Sequence, residues 1–146
     1  MQVPKCIRQL RGFLRLCNYY RRFIEDYSFL SNPLEKLCSS SNKTLKWNNN
    51  CNDNFIKLKQ KLMSTPVLAY PDYTKPFILD TDASFDCIGA VLSQVDENRK
   101  ERVVSFGSHS LNKHELGYCV TRKELLEIYY FVNDFKHYLY GRKFRV

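Results

Sequence analysis

Residues 76–95, PFILDTDASFDCIGAVLSQV, decide the fold. Phe77 to Thr81 is a short, largely apolar run, Ile88 to Val95 is another, and Arg102 to Ser108 is a third. Ser84 to Cys87 and the charged turn Asp96 to Lys100 separate them, so the spacing predicts a three-stranded antiparallel meander.

Upstream of this stretch the period is helical. Pro4 suits a first helical turn, and Ile7, Leu10, Leu14 and Cys17 follow at steps of three and four, with Phe13, Leu16 and Tyr20 widening the stripe, which predicts a helix from Pro4 to Glu25. A short helix is expected to begin at Pro33, to carry Leu34 and Leu37, and to end in the polar run Ser39 to Asn42. A third helix places Phe55, Leu58 and Leu62 on one face and is stopped by Thr65-Pro66. Pro66, Pro71 and Pro76 punctuate the change of period, which divides the chain into a helical region, 1–70, and a strand-bearing region, 71–146.

Downstream of the meander, Thr121 and Glu124 have capping-box spacing, and Leu125, Ile128, Tyr129, Val132 and Phe135 repeat helically. A long helix is expected from Arg122 to Tyr140, closed near Gly141. Phe144-Arg145-Val146 reads as the start of a fourth strand, and a strand that has only begun predicts a chain cut from something longer. The expected fold class is therefore α+β or α/β.

With 44% hydrophobic and 26% charged side chains over 146 residues, the composition is that of folded domains rather than a disordered segment. Lys and Arg number 23 against 15 Asp and Glu, and a net charge of +8 favours a polyanionic partner such as nucleic acid or an acidic membrane surface. Lys5, Arg8, Arg11, Arg15, Arg21 and Arg22 oppose only Glu25 near the start, and Lys136, Arg142, Lys143 and Arg145 crowd the end, so both ends are candidate phosphate-contacting surfaces. The 6 cysteines are widely spaced with no C-x-x-C pair, which points away from zinc and redox motifs and toward reduced thiols in the cytoplasm or nucleus. The start MQVPKCIRQL has no apolar signal core, and no run approaches the roughly 20 apolar residues of a membrane helix, so neither secretion nor membrane insertion is expected.

Hydrolysis of a phosphodiester at neutral pH can use divalent cations held by carboxylates on rigid elements. Asp82 at the end of the first strand and Glu124 in the first turn of the long helix meet that demand, and strand alternation puts Asp80 on the same face as Asp82, enriching the negative field. The same residues also fit a purely structural account, with Glu124 as the reciprocal member of the Thr121 capping box and Asp82 as a turn residue.

Several motifs occur in a fixed order: Arg11-Gly12-Phe13-Leu14, Asn18-Tyr19-Tyr20-Arg21-Arg22-Phe23-Ile24, Pro66-Val67-Leu68, Thr81-Asp82-Ala83-Ser84, Ile88-Gly89-Ala90-Val91-Leu92-Ser93-Gln94, Ser110-Leu111-Asn112-Lys113, Lys123-Glu124-Leu125-Leu126 and His137-Tyr138-Leu139-Tyr140-Gly141. Together, and over nearly the whole chain, they resemble the Pol polyprotein of long-terminal-repeat retrotransposons of the Ty3/Gypsy class. The resemblance implies a reverse transcriptase thumb and connection over 1–70, followed over 71–146 by an incomplete ribonuclease H domain. It implies that Asp82 and Glu124 are catalytic metal ligands for Mg2+, with Mn2+ as a substitute, in a parent that hydrolyses the RNA strand of RNA–DNA hybrids.

The family's later nuclease carboxylates and the polymerase's paired aspartates have no counterpart in these residues, so the chain alone is expected to hold metal weakly and to be inactive or nearly so. The resemblance further implies that Asn18, Tyr19, Arg21 and Arg22 lie along a nucleic-acid duplex. Asn can bond base edges or sugars, an aromatic can pack on a sugar, and arginines can neutralise phosphates. In a structural account the tyrosines are packing residues and the arginines a solvated face. The implied partners are an RNA–DNA hybrid or duplex and the rest of the polyprotein: palm and fingers, the remainder of ribonuclease H, and integrase. A different class of function is a non-catalytic nucleic-acid-binding or interaction module domesticated from such an element. Departures from the family pattern are Arg15 and Cys87 at positions usually Gly, Arg122 at one often acidic, and His109 at one usually Arg. A positive φ at Cys87 would cost about 1 kcal/mol or more.

Overall fold

The computed structural model describes residues 3–39, 47–64 and 68–146. Helix α1, Ile7–Tyr19, buries Leu10, Phe13, Leu14 and Cys17 of the stripe expected from its spacing, whereas Ile7 is only partly buried and Leu16 and Tyr20 are exposed. It stops short of the expected end at Glu25. Tyr20 leaves helical geometry, a 3-10 turn spans Arg21–Phe23, and Asp26 takes φ 55, a left-handed conformation that aspartate tolerates better than most residues. That reversal starts helix α2, Tyr27–Ser39, which contains Pro33 instead of beginning there. Pro33 removes one helical N–H, but Tyr27, Leu30 and Leu34 bury one continuous face across it, and that packing holds the turns together.

Helix α3, Asn49–Met63, opens on Asn48, whose side chain accepts the Cys51 N–H at 2.8 Å. Phe55 and Leu58 are buried as expected, and Leu62 is partly so. The expected stop at Thr65-Pro66, and the polar run beyond Ser39, lie outside the described residues. The three helices enclose one core, in which Phe13 and Phe55 meet at 4.6 Å between ring centroids.

The meander forms as its pattern dictates: β1 Phe77–Ala83, β2 Cys87–Val95 and β3 Glu101–Ser110 pair antiparallel, and a short β4, Phe144–Arg145, joins β1 in parallel. The order β3-β2-β1-β4 needs a crossover, which the helices after β3 supply. Cys87 does not take the positive φ that its replacement of glycine suggested. Among the described residues only Asp26, Arg99 and Gly141 have positive φ, and Cys87 is the buried first residue of β2. Gly141, at φ 72, closes the helical segment where the sequence placed its end.

The helical crossover differs in detail from its reading. A capping box is present, but at Asn112 and Glu115, opening the short α4, Lys113–Leu116. The next helix, α5, spans Val120–Asp134 with Cys119 at its N-cap, so Thr121 lies inside the helix and caps nothing. The expected long helix breaks at Phe135, and α6, Lys136–Leu139, continues as one turn. The face is also rotated: Phe135 is buried as expected, but Glu127 and Phe131 point into the molecule with it, while Leu125 and Tyr129 stand 64% and 69% exposed.

A second core joins Phe77, Leu79, Ala90 and Leu92 of the sheet to Phe131, Phe135 and Leu139. Helices α5 and α6 cover that sheet face at Gly107. The alternate face, at Ser108, receives the Ser28 amide and hydroxyl of α2, each at 3.1 Å. The sheet is thus a middle layer with helices on both sides. No helix among the described residues is long and apolar enough to cross a membrane.

Candidate functional site

Asp82 lies within β1, paired opposite Gly89, and the turn to β2 begins only at Ser84, whose N–H donates to the Cys87 carbonyl at 2.8 Å. Glu124 sits just past the first turn of α5, exposed, with no capping partner at Thr121. Neither carboxylate therefore has the turn or capping duty that a structural account gave it.

Glu127, buried one turn past Glu124 on α5, was not singled out by sequence spacing. Thr81 points to the α5 side of β1, and its hydroxyl donates to Glu127 Oε1 at 2.9 Å, while Oε2 is buried with no hydrogen-bond partner. Burial raises the Glu127 carboxyl above the ordinary glutamate range, the Thr81 bond opposes the rise, and the negative charges of Asp82 and Glu124 add to it. The strand end and the helix start thus bring Asp82 and Glu124 into the electrostatic neighbourhood of one buried carboxylate. The signal in the sequence was a charged residue at four- and eight-residue steps before Phe131 and Phe135, on the stripe the helix buries.

Asp80 and Asp82 also line a cleft of about 420 Å³ on the opposite sheet face, closed by Glu25, Asp26 and Phe29. Burial raises the Asp26 carboxyl first, Glu25 and Asp82 raise it further, and Lys61 pulls it down. Lys123, next to Glu124, donates to the Phe85 carbonyl at 3.0 Å and ties the start of α5 to the β1–β2 turn. The donors here are carboxylate oxygens, which suit a hard divalent cation completing its shell with water or phosphate. The residues therefore fit such an ion in donor type alone. Among the described residues, however, no group of three His, Cys, Asp or Glu side chains converges closely enough to enclose one.

The nucleic-acid candidates divide. Asn18 and Tyr19 are exposed at the end of α1, Tyr19 at 79%, with its ring edge-on to Tyr20 at 5.0 Å, so Tyr19 is not a core residue. Arg22 is exposed, and its charge helps, after burial, to lower the His137 pKa. Arg21 turns inward instead: its guanidinium donates to the Ser108 carbonyl at 2.9 Å. Arg8, Gly12, Arg15 and Tyr19, at alternating steps of four and three, form an exposed stripe of α1, Arg22 is exposed in the 3-10 turn after it, and a Cβ added at Gly12 would have nothing within 4 Å.

The family model described as the RNase H-like domain found in reverse transcriptase matches residues 47–146. The retrovirus-related Pol polyprotein from transposon 412 of Drosophila melanogaster is 37% identical, covering 99% of this chain and 12% of the relative. That from transposon opus of the same organism is 39% identical, covering 97% and 15%. The transposon Tf2-3 polyprotein of Schizosaccharomyces pombe is 38% identical, covering 93% and 10%. The chain thus spans at most 15% of the length of these relatives.

Among solved structures, the foamy viral protease-reverse transcriptase in complex with dsDNA superposes with a TM-score of 0.83 at 19% identity, over 99% of this chain and 30% of that one. The same protein in complex with an RNA/DNA hybrid gives 0.79 at 19% identity, over 98% and 19%. At that identity the likeness speaks for the fold.

Proposed function

Since the chain belongs to the family of RNase H-like domains found in reverse transcriptase, a part of retrotransposon Pol polyproteins, we propose that it is the thumb-to-ribonuclease H segment of a Ty3/Gypsy-class element. Its substrate is an RNA–DNA hybrid, and the palm, the fingers, the remainder of ribonuclease H and integrase are its neighbours in the polyprotein. In the complete domain, Asp82 and Glu124 would hold Mg2+, with Mn2+ as a substitute, and these residues alone would hold it weakly if at all. When bound, such an ion stabilises the leaving oxygen of the phosphodiester and activates water. Asn18, Tyr19 and Arg22, extended by Arg8 and Arg15, lie against the duplex, and Arg21 holds that surface to β3.

What supports this reading is the family match over residues 47–146, together with the packing of α5, which carries Glu124, on β1, which carries Asp82. One observation favours the second reading, a non-catalytic nucleic-acid-binding module: no three metal-ligating side chains converge among the described residues.

Both readings are tested with a fluorescein-labelled RNA–DNA hybrid. Binding by anisotropy is expected to weaken steeply with salt, and the slope of log Kd against log salt is expected to fall by about 1 for each phosphate that Arg15→Glu or Arg22→Glu leaves without its cation. Unchanged binding in both variants would remove the α1 interface. The 146 residues are expected to leave the hybrid uncut in Mg2+. Cleavage that disappears in Asp82→Asn would establish a complete nuclease in its place.

A further inference from the structure

We propose that the corner where α6 turns into β4 is a binding surface for single-stranded nucleic acid, with Tyr140 and the stacked pair Tyr73–Arg142 taking bases and Lys143 taking a phosphate. The surface lies at the start of β1, about 17 Å along the strand from Asp82, and belongs to other elements than the α1 stripe. Two loops form it. In the turn before β1, the buried Gln94 amide of β2 accepts the Asp72 N–H at 2.8 Å and donates to the Asp72 and Lys75 carbonyls at 2.8 and 3.2 Å, which fixes the turn that carries Tyr73. In the loop after α6, Gly141 reverses the chain, and the Lys143 carbonyl accepts the Phe77 N–H at 3.2 Å. Arg142 joins the two loops: its guanidinium carbon stands 4.3 Å from the centre of the Tyr73 ring, and Nη1 donates to the Tyr138 and Tyr140 carbonyls at 3.2 and 3.3 Å.

A guanidinium fixed over an aromatic ring makes a flat cationic platform on which a base can stack. Tyr140 is 87% exposed and Tyr73 50%, so both offer ring area to a ligand. Lys75 is matched by Asp72 at 3.6 Å, whereas the exposed Lys143 ammonium has no hydrogen-bond or ion-pair partner among the described residues. The corner thus combines unmatched positive charge with aromatic faces, the pairing that recognises a polyanion whose bases are open. In a duplex the bases are stacked on one another and closed to such rings, so this chemistry selects a single strand. Bracing of the corner accounts for Arg142 and Tyr73, but not for the side chains of Tyr140 and Lys143, which brace nothing among the described residues.

The anisotropy of a fluorescein-labelled oligothymidylate of about 12 nucleotides, titrated with the 146-residue chain, tests this. Wild type is expected to bind it in a salt-sensitive way. Tyr140→Ser should weaken binding roughly ten-fold while Tyr140→Trp retains it, and Lys143→Glu should weaken binding and lower the salt slope by about 0.7 for the phosphate lost. Both side chains are exposed, so the urea midpoints of these variants should match wild type, which separates lost binding from lost folding. Arg15→Glu, on α1, should leave oligothymidylate binding unchanged whatever it does to the hybrid, so the two surfaces stand or fall separately. No binding by wild type, or equal binding by wild type, Tyr140→Ser and Lys143→Glu, overturns the inference, and so does loss of binding in Arg15→Glu alone, which would move the single strand to α1.

Discussion

A Cβ added at Gly107 would stand 2.8 Å from the Phe131 ring and 2.9 Å from that of Phe135. Both rings are fixed in the second core, so Gly107→Ala should destabilise the chain by about 1–3 kcal/mol through overpacking, read as a lower urea midpoint at unchanged m-value. Gly12 is the opposite case. It lies inside exposed α1 with open space around it, and replacing a helical glycine by alanine gains about 0.5–1 kcal/mol. We expect Gly12→Ala to melt higher yet bind the hybrid less well, since bare backbone between Arg8 and Arg15 allows close approach of a phosphate strand. A stabilised variant with unchanged binding would deny Gly12 that part. At Glu127 the consequence is a pH dependence. Burial raises its carboxyl, so the folded chain retains a proton that the unfolded chain releases, and stability falls as pH rises from the ordinary glutamate range through the raised value. Asp72 and Asp96, whose carboxyls turn hydrogen bonds hold low, act in the other direction, and their stabilisation is lost as pH falls through their lowered values. Thermal melts from about pH 4 to 7 should therefore decline less steeply with rising pH in Glu127→Gln than in wild type, and parallel curves would exclude Glu127 as a source of the slope.

Helix α5 shows how an element can be foreseen while its orientation is not. Leu125, Ile128, Tyr129, Val132 and Phe135 make a convincing apolar stripe, yet of these only Phe135 is fully buried, and the helix buries Glu127 and Phe131 beside it. The packing surface decides: Gly107 leaves room on the sheet for two aromatic rings, and Thr81 offers the hydroxyl that a buried carboxylate can use. Phe131→Ala should accordingly cost about 3–5 kcal/mol, whereas Tyr129→Ser should stay within about 0.5 kcal/mol, as the urea midpoints will read. The strands were legible because their period and turn residues are local, and even the start of β4 could be read from Phe144-Arg145-Val146. Local spacing could not foresee that α2 runs through Pro33, because Leu30 and Leu34 hold that turn from α1 and α3. The same limit applied at the site: Asp82 and Glu124 stood out by motif, whereas Glu127 becomes meaningful only when α5 is laid on β1. Arg21 looks like its neighbour Arg22 until the fold brings the Ser108 carbonyl within its reach.

On the scale of the whole molecule, two cores meet across one sheet, and Ser108 is the residue both sides share. Its hydroxyl oxygen accepts the Ser28 N–H and the Ser28 hydroxyl, each at 3.1 Å, its carbonyl accepts Arg21 at 2.9 Å, and both serines are buried. Asn32 adds a bond to Asp86 at 2.8 Å, whereas the Lys36–Asp86 approach at 3.8 Å is exposed on the lysine side and contributes little. The cleft that joins Glu25 and Asp26 to Asp80 and Asp82 exists only while this docking holds. Ser108→Ala leaves the Ser28 amide and hydroxyl without their acceptor in a buried seam, which should destabilise by about 1–3 kcal/mol. Because the variant leaves each core's own apolar packing intact, the effect should fall on docking. Hydrogen exchange should therefore quicken in α2 and the 3-10 turn while β2 and α5 keep their protection. Uniform acceleration across both cores would mean instead that they unfold as one cooperative unit, with the basic stripe of α1 and the acidic pair of β1 and α5 held in fixed relation to each other.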